Sequence, residues 1–140
     1  MTINGVQKVN SVQSNTEALD TELPMYIFAQ NNAGKPDLYS KVRCYSVKIW
    51  QDDVLVRDFL PCVKNGRAGL YDDVTKSMFY PQGGELAAGA VTQAADIPDW
   101  IAEYVESDGT QYIDTGVIGK CNTTAEMTIT WLGSGDKSFL

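Results

Sequence analysis

The chain has no histidine in its 140 residues. That removes the commonest general base near neutral pH and the imidazole ligand of most zinc sites. Cysteine is scarce. Cys44, Cys62 and Cys121 are odd in number and far apart, and they form neither a CxxC pair nor a disulfide framework. They read as buried free thiols, with a Cys44–Cys62 bridge as the alternative if their strands are neighbours. No run of about 18 apolar residues occurs, so no membrane insertion is expected. Positive charge is in deficit, with 11 Lys and Arg against 18 Asp and Glu, a net −7. The deficit lies late in the chain: from Asp96 onward there are eight acids and two bases, while the first 95 residues nearly balance. Such a chain lacks the basic footprint of a nucleic-acid binder and the basic stripe of a membrane-surface helix. After Met1 comes the polar stretch TINGVQKVNSVQSN, which has no secretory pattern. Either secretion is not encoded in this chain, or the chain is part of something larger.

What is present is β-structure. In Val42–Pro61, Val47 and Ile49 alternate with Ser46, Lys48 and Trp50, and Val54 to Val56 restart an apolar run after Gln51-Asp52-Asp53. Two β-rich runs joined by a short acidic turn predict a hairpin. Ahead of it, Asn4-Gly5 between Thr2-Ile3 and Val6–Val9 predicts a type I′ hairpin. Asn10–Glu22 read as a loop. Met25–Ala29 read as a buried strand with Pro24 at its first position, and Asn31–Pro36 as a turn. After it, Lys64-Asn65-Gly66 predict another turn, and Gly69–Tyr71 with Met78–Tyr80 a further hairpin. Glu85–Ala95, small and weakly patterned, read as a linker. Asp96 as a cap and Pro98 in a first turn allow one helical turn over Asp96–Glu103. Tyr104-Val105 and Tyr112-Ile113 flank a turn at Ser107-Asp108-Gly109. Thr124–Trp131 alternate cleanly, with Ala125, Met127, Ile129 and Trp131 on one face, which predicts a half-buried strand. Short strands, frequent turns and almost no helix point to an all-β, antiparallel β-sandwich.

These residues carry a resemblance. PMYIFAQNNAG, YSVKIWQDDVLVRDFLPC and GLYDDVTKSMFY resemble the C-terminal half of a concanavalin A-like, laminin G-like jelly-roll module of bacterial surface and phage proteins. EYVESDGTQYIDTGV followed by TTAEMTITW resembles the N-terminal strands of the same module. The halves come in reversed order, and the middle strands have no counterpart. The resemblance implies a jelly roll that is permuted or incomplete. Residues 1–90 would form the C-terminal-like half, 91–103 the linker, and 104–140 the N-terminal-like strands, as one compact domain or a strand-exchanged unit. An apolar stripe on the last strand and bare sheet edges then suggest a homo-oligomer in which the segment after Asp96 packs on a neighbour.

Chemistry is sparse. Jelly-roll glucanases, which resemble this fold, carry ExDxxE, where residues two apart on a strand aim carboxylates into one cleft. That motif is missing; Glu103 and Glu106 are three apart and would face opposite ways. Asp52-Asp53 and Asp72-Asp73 fall at predicted turns, where an aspartate commonly bonds its own backbone. No Ser or Cys stands beside a recognisable base. The chain is therefore not expected to be an enzyme. No cofactor is called for, although laminin G-like modules can hold calcium on rim loops, and Asp37, Asp72 and Asp73 are the loop acids available to a structural ion. Asn122-Thr123-Thr124 fits a glycosylation sequon but reads first as a strand-entry turn. A glycan is the better ligand: aromatic faces stack on sugar rings while amides fix hydroxyls. Trp50, Tyr39, Asn31 and Asn32 are the candidate ligand-binding residues, with Tyr45 and Trp100 as further aromatics. The expected function is a non-catalytic carbohydrate-binding or adhesion module, at a bacterial cell surface or on a virion. The alternative is a structural scaffold subunit of a phage tail or head fibre, or of another assembly.

Overall fold

A computed structural model describes residues 2–3, 6–12, 22–93 and 100–133, with the backbone alone for 2–12. Its centre is the predicted hairpin. β6 (Lys41–Gln51) and β7 (Val54–Lys64) pair antiparallel around Asp52-Asp53, both of which have positive φ, 51° and 62°. A two-residue turn with both central residues left-handed matches the twist of the flanking strands. Val47, Ile49 and Phe59 are fully buried, as the alternation predicts. On the far side of β6 lies β15 (Thr123–Trp131), followed by β2 (Val6–Val12) and β1 (Thr2–Ile3). Ala125, Met127 and Ile129 of β15 point into the core.

Beyond Val47 and Phe59 the hairpin strands part. β6 turns to pair with β13 (Val105–Asp108). β7 goes on between β8 (Arg67–Asp72) and β12 (Trp100–Ala102), and β8 carries β9 (Ser77–Phe79). Strands that switch partners in this way make the corners of a sandwich. β14 (Ile113–Ile118) pairs with β3 (Pro24–Ile27) in a separate ribbon. One cluster of side chains joins these parts: Ile27 and Phe28, Ile113 and Val117 pack with Val47, Ile49, Phe59, Met127 and Ile129. Every strand pair described is antiparallel, and no helix occurs among the described residues. The fold is an all-β, antiparallel sandwich.

Several expectations are corrected. Asn10–Val12 belong to β2 rather than to a loop, because Thr124–Glu126 stand opposite them; residues 13–21 lie outside the described residues. Thr2 and Ile3 pair with Gln7 and Val6 as a hairpin requires, and Asn4-Gly5 lie outside the description. Asn31–Pro36 is a turn only at Ala33-Gly34; β4 (Gln30–Asn32) and β5 (Lys35–Asp37) pair on either side of it. Within the expected linker, β10 (Ala87–Ala88) pairs with β13 and β11 (Val91–Gln93) with β12. The small residues there mark a close approach: a Cβ on Gly89 would stand 2.6 Å from a Tyr104 ring carbon. Trp100–Ala102 form a strand in place of a helical turn, and residues 94–99 lie outside the description. Cys44 and Cys62 are both free and buried. Their strands have already diverged, with Cys44 opposite Val105 and Cys62 opposite Ile101, so no bridge forms.

Candidate functional site

Of the residues singled out as sugar ligands, Trp50 is the best placed. It is the last residue but one of β6, half-buried, and paired with Thr124 of β15. Opposed residues share a face, and Thr124 lies on the strand face opposite Ala125 and Met127. Trp50 thus sits on the outer face of the main sheet. Lys48, Glu126, Thr128 and Thr130 share that face, Lys48 pairing with Asp58 at 3.3 Å. Tyr45 is also there, its hydroxyl accepting from Thr130 Oγ1 at 3.3 Å. It meets the Tyr104 ring edge-on at 5.8 Å between centroids, and that ring carries the Arg43 guanidinium at 4.6 Å.

The other candidates are dispersed. The Asn31 amide is committed to its own hairpin and to β3: Oδ1 accepts from Gly34 N at 2.9 Å, and Nδ2 donates to the Pro24 carbonyl at 2.8 Å. Asn32 is exposed on β4. Tyr39 precedes β6, beside Ser40, whose N–H donates to the Phe28 carbonyl at 2.7 Å. An eleven-residue strand at ~3.3 Å per residue puts Tyr39 and Trp50 at opposite ends of β6. Trp100 is exposed on β12. The structure brings Trp50 and Asn31 to the same end of the sandwich, since Pro24 pairs with Ile118 and Gln51 Nε2 donates to the Ile118 carbonyl at 2.6 Å. They stand on different layers there, and Tyr39 is not with them.

At that end, between the layers, opens a cleft of about 550 Å³. Among the residues that line it is Arg57, which composition and motif reading passed over. The register sets Arg57 opposite buried Ile49, so its side chain is directed inward. Nε donates to the Thr115 carbonyl of β14 at 3.0 Å and Nη1 to the Val56 carbonyl at 2.8 Å. The guanidinium thereby spans the two layers, packs on the Phe79 ring at 5.5 Å, and lies 3.6 Å from Asp72 Oδ2. Glu22, Gln51, Gly116 and Lys120 complete the lining on the polar side, while Val56, Val117 and Ile118 supply apolar surface. The sequence did hold a signal for Arg57: it stands two residues before Phe59, at core parity.

The acids considered for calcium serve the fold. Asp72 is no open loop acid but fully buried. Its carboxylate accepts from Asp58 N at 2.8 Å, Val74 N at 3.2 Å, Thr75 N at 3.3 Å and Thr75 Oγ1 at 2.7 Å. Asp73 pairs with Lys76 at 2.6 Å, and Asp37 accepts from Leu38 N at 2.8 Å. Among the described residues no three His, Cys, Asp or Glu gather as metal ligands would. Asp108 accepts from Thr110 Oγ1 and N, and these bonds, the hydroxyl's foremost, hold its carboxyl below the usual value.

No family model matches the chain, and neither a curated protein nor a solved structure matches it.

Proposed function

We propose that this chain is a non-catalytic carbohydrate-binding or adhesion module acting at a cell or virion surface. The observation that carries the reading is Trp50, held half-exposed on a sheet face otherwise set with hydroxyls and paired charges. A tryptophan held by flanking strands offers a large flat surface at small entropic cost, and its neighbours can bond a sugar's hydroxyls. Asp72, Asp73, Asp108 and Glu106 are engaged in turns and ion pairs. A glycan array tests the reading. Reproducible binding to a defined glycan is expected, and Trp50→Ala should weaken it by roughly 2 kcal/mol, about thirty-fold in Kd. An array that stays blank would refute it.

A second reading, a structural subunit of a phage fibre or other assembly, draws on a different observation. Among the described residues β11 ends the main sheet and pairs on one side only, and it is exposed at all three positions. An open strand edge is a template for another chain. Under this reading the array is blank and the chain sediments as a large assembly.

A further inference from the structure

We propose that the cleft floored by Arg57 is the subsite for one neutral, hydroxyl-rich sugar ring. The proposal rests on the glycan reading and names a second contact, around the sheet end from Trp50. A guanidinium at a core position is costly to desolvate unless its donors are used. Nε and Nη1 are used, by the Thr115 and Val56 carbonyls. Nη2 meets no acceptor among the described residues. It lies over Gly116, where a Cβ would come within 3.4 Å of it. Gly116 has φ +68°, a conformation that glycine adopts without strain, so the wall stays bare beside the open N–H groups. The fold thus fixes an arginine in the mouth of the sandwich and leaves one edge of it for something else.

Charge selects the class of ligand. Arg57 and Lys120 are the cations of the cleft, balanced by Glu22 and by Asp72 beneath the guanidinium. A carboxylate or phosphate would enter beside buried Asp72 with no net countercharge, on a chain of net charge −7. A hydroxyl both accepts and donates. It can accept from Arg57 Nη2 or Lys120 Nζ and donate to the Glu22 carboxylate, without adding charge. Val56, Val117 and Ile118 face the C–H side of a ring, and about 550 Å³ falls in the usual range of small-ligand sites.

The test is a ¹⁵N–¹H spectrum of the full chain titrated with methyl glycosides of glucose, galactose, mannose and N-acetylglucosamine, with glucuronate as the charged control. One neutral glycoside is expected to shift the amides of Val56, Arg57 and Gly116 to Lys120 in a saturable way. Arg57→Lys, which keeps the charge facing Asp72, and Lys120→Ala, an exposed side chain, should each weaken that glycoside roughly ten-fold with the dispersion of the spectrum intact. If Arg57→Lys fails to fold, Lys120→Ala carries the test alone. Saturable shifts confined to Trp50 and Thr124 would overturn the cleft and leave the glycan reading standing. Glucuronate binding more than ten-fold tighter than the glycosides would overturn the choice of a neutral ligand. Shifts nowhere, with every sugar, would bring down both.

Discussion

Cys44 and Cys62 are wholly buried, whereas Cys121 is exposed on the turn before β15. Burial disfavours the thiolate, pushing Cys44 up to about 12 and Cys62 up to about 11 from an ordinary 9.0. Native protein at pH 8 should therefore take up one equivalent of a thiol reagent, at Cys121, and three once unfolded; fast labelling of three in the native state would contradict the burial. The same shifts make stability depend on pH. Both folded values are raised, so the unfolded chain loses these protons first. The contribution is full below about 9 and is lost as pH rises towards 11–12. Cys44→Val, which removes one titrating group from the core, should flatten that alkaline loss in urea titrations run from pH 8 to 11. An unchanged slope would assign the loss to other groups. At this scale the sequence was legible wherever parity decides, as at Trp50 outward and Ile129 inward. Parity also sets Arg57 inward, but a charge at core parity makes sense only once β14 offers it the Thr115 carbonyl.

Among the elements, β15 carries the clearest energetics. It lies between β2 and β6, and its inner face is Ala125, Met127 and Ile129, with Ile129 only 2% exposed. Ile129→Ala should cost about 2–5 kcal/mol, and Thr128→Ala, on the opposite face, no more than about 0.5 kcal/mol. Equal tolerance of the two changes in chemical denaturation would mean the register is wrong. The elements that the sequence announced share strong local signals. Asn65-Gly66, with φ of 52° and 76°, and Asp52-Asp53 are turn chemistry that needs no distant partner. β15 has nine residues to display its alternation. The elements that escaped, β10, β11 and β12, have two or three residues each. Too short to show a period, they are strands only because β13 and β7 offer unpaired edges, a tertiary cause that local propensity does not contain. Glu85–Ala95 therefore read as a linker where its small residues in fact make room for Tyr104.

The whole molecule turns on how the late strands close the early ones. The resemblance to a module with its halves in reversed order suggests that the segment after Asp96 would cover the stripe of a neighbouring copy. In the structure the stripe is covered at home: β15 is inserted between β2 and β6, β14 joins β3, and β12 and β13 take the diverging ends of β7 and β6. The same contacts between two copies would produce the strand-exchanged homo-oligomer, so contact energy alone does not choose between the two. Concentration does. Within one chain the late strands face the early ones at an effective concentration of order millimolar, whereas a second copy is present at tens of micromolar in a typical preparation. The exchanged form would pay the association cost without gaining a new interface. Light scattering at that concentration should then show a particle of about 15.4 kDa that unfolds cooperatively. A stable particle of twice that mass, whose urea midpoint rises with protein concentration, would show that the late strands are exchanged after all.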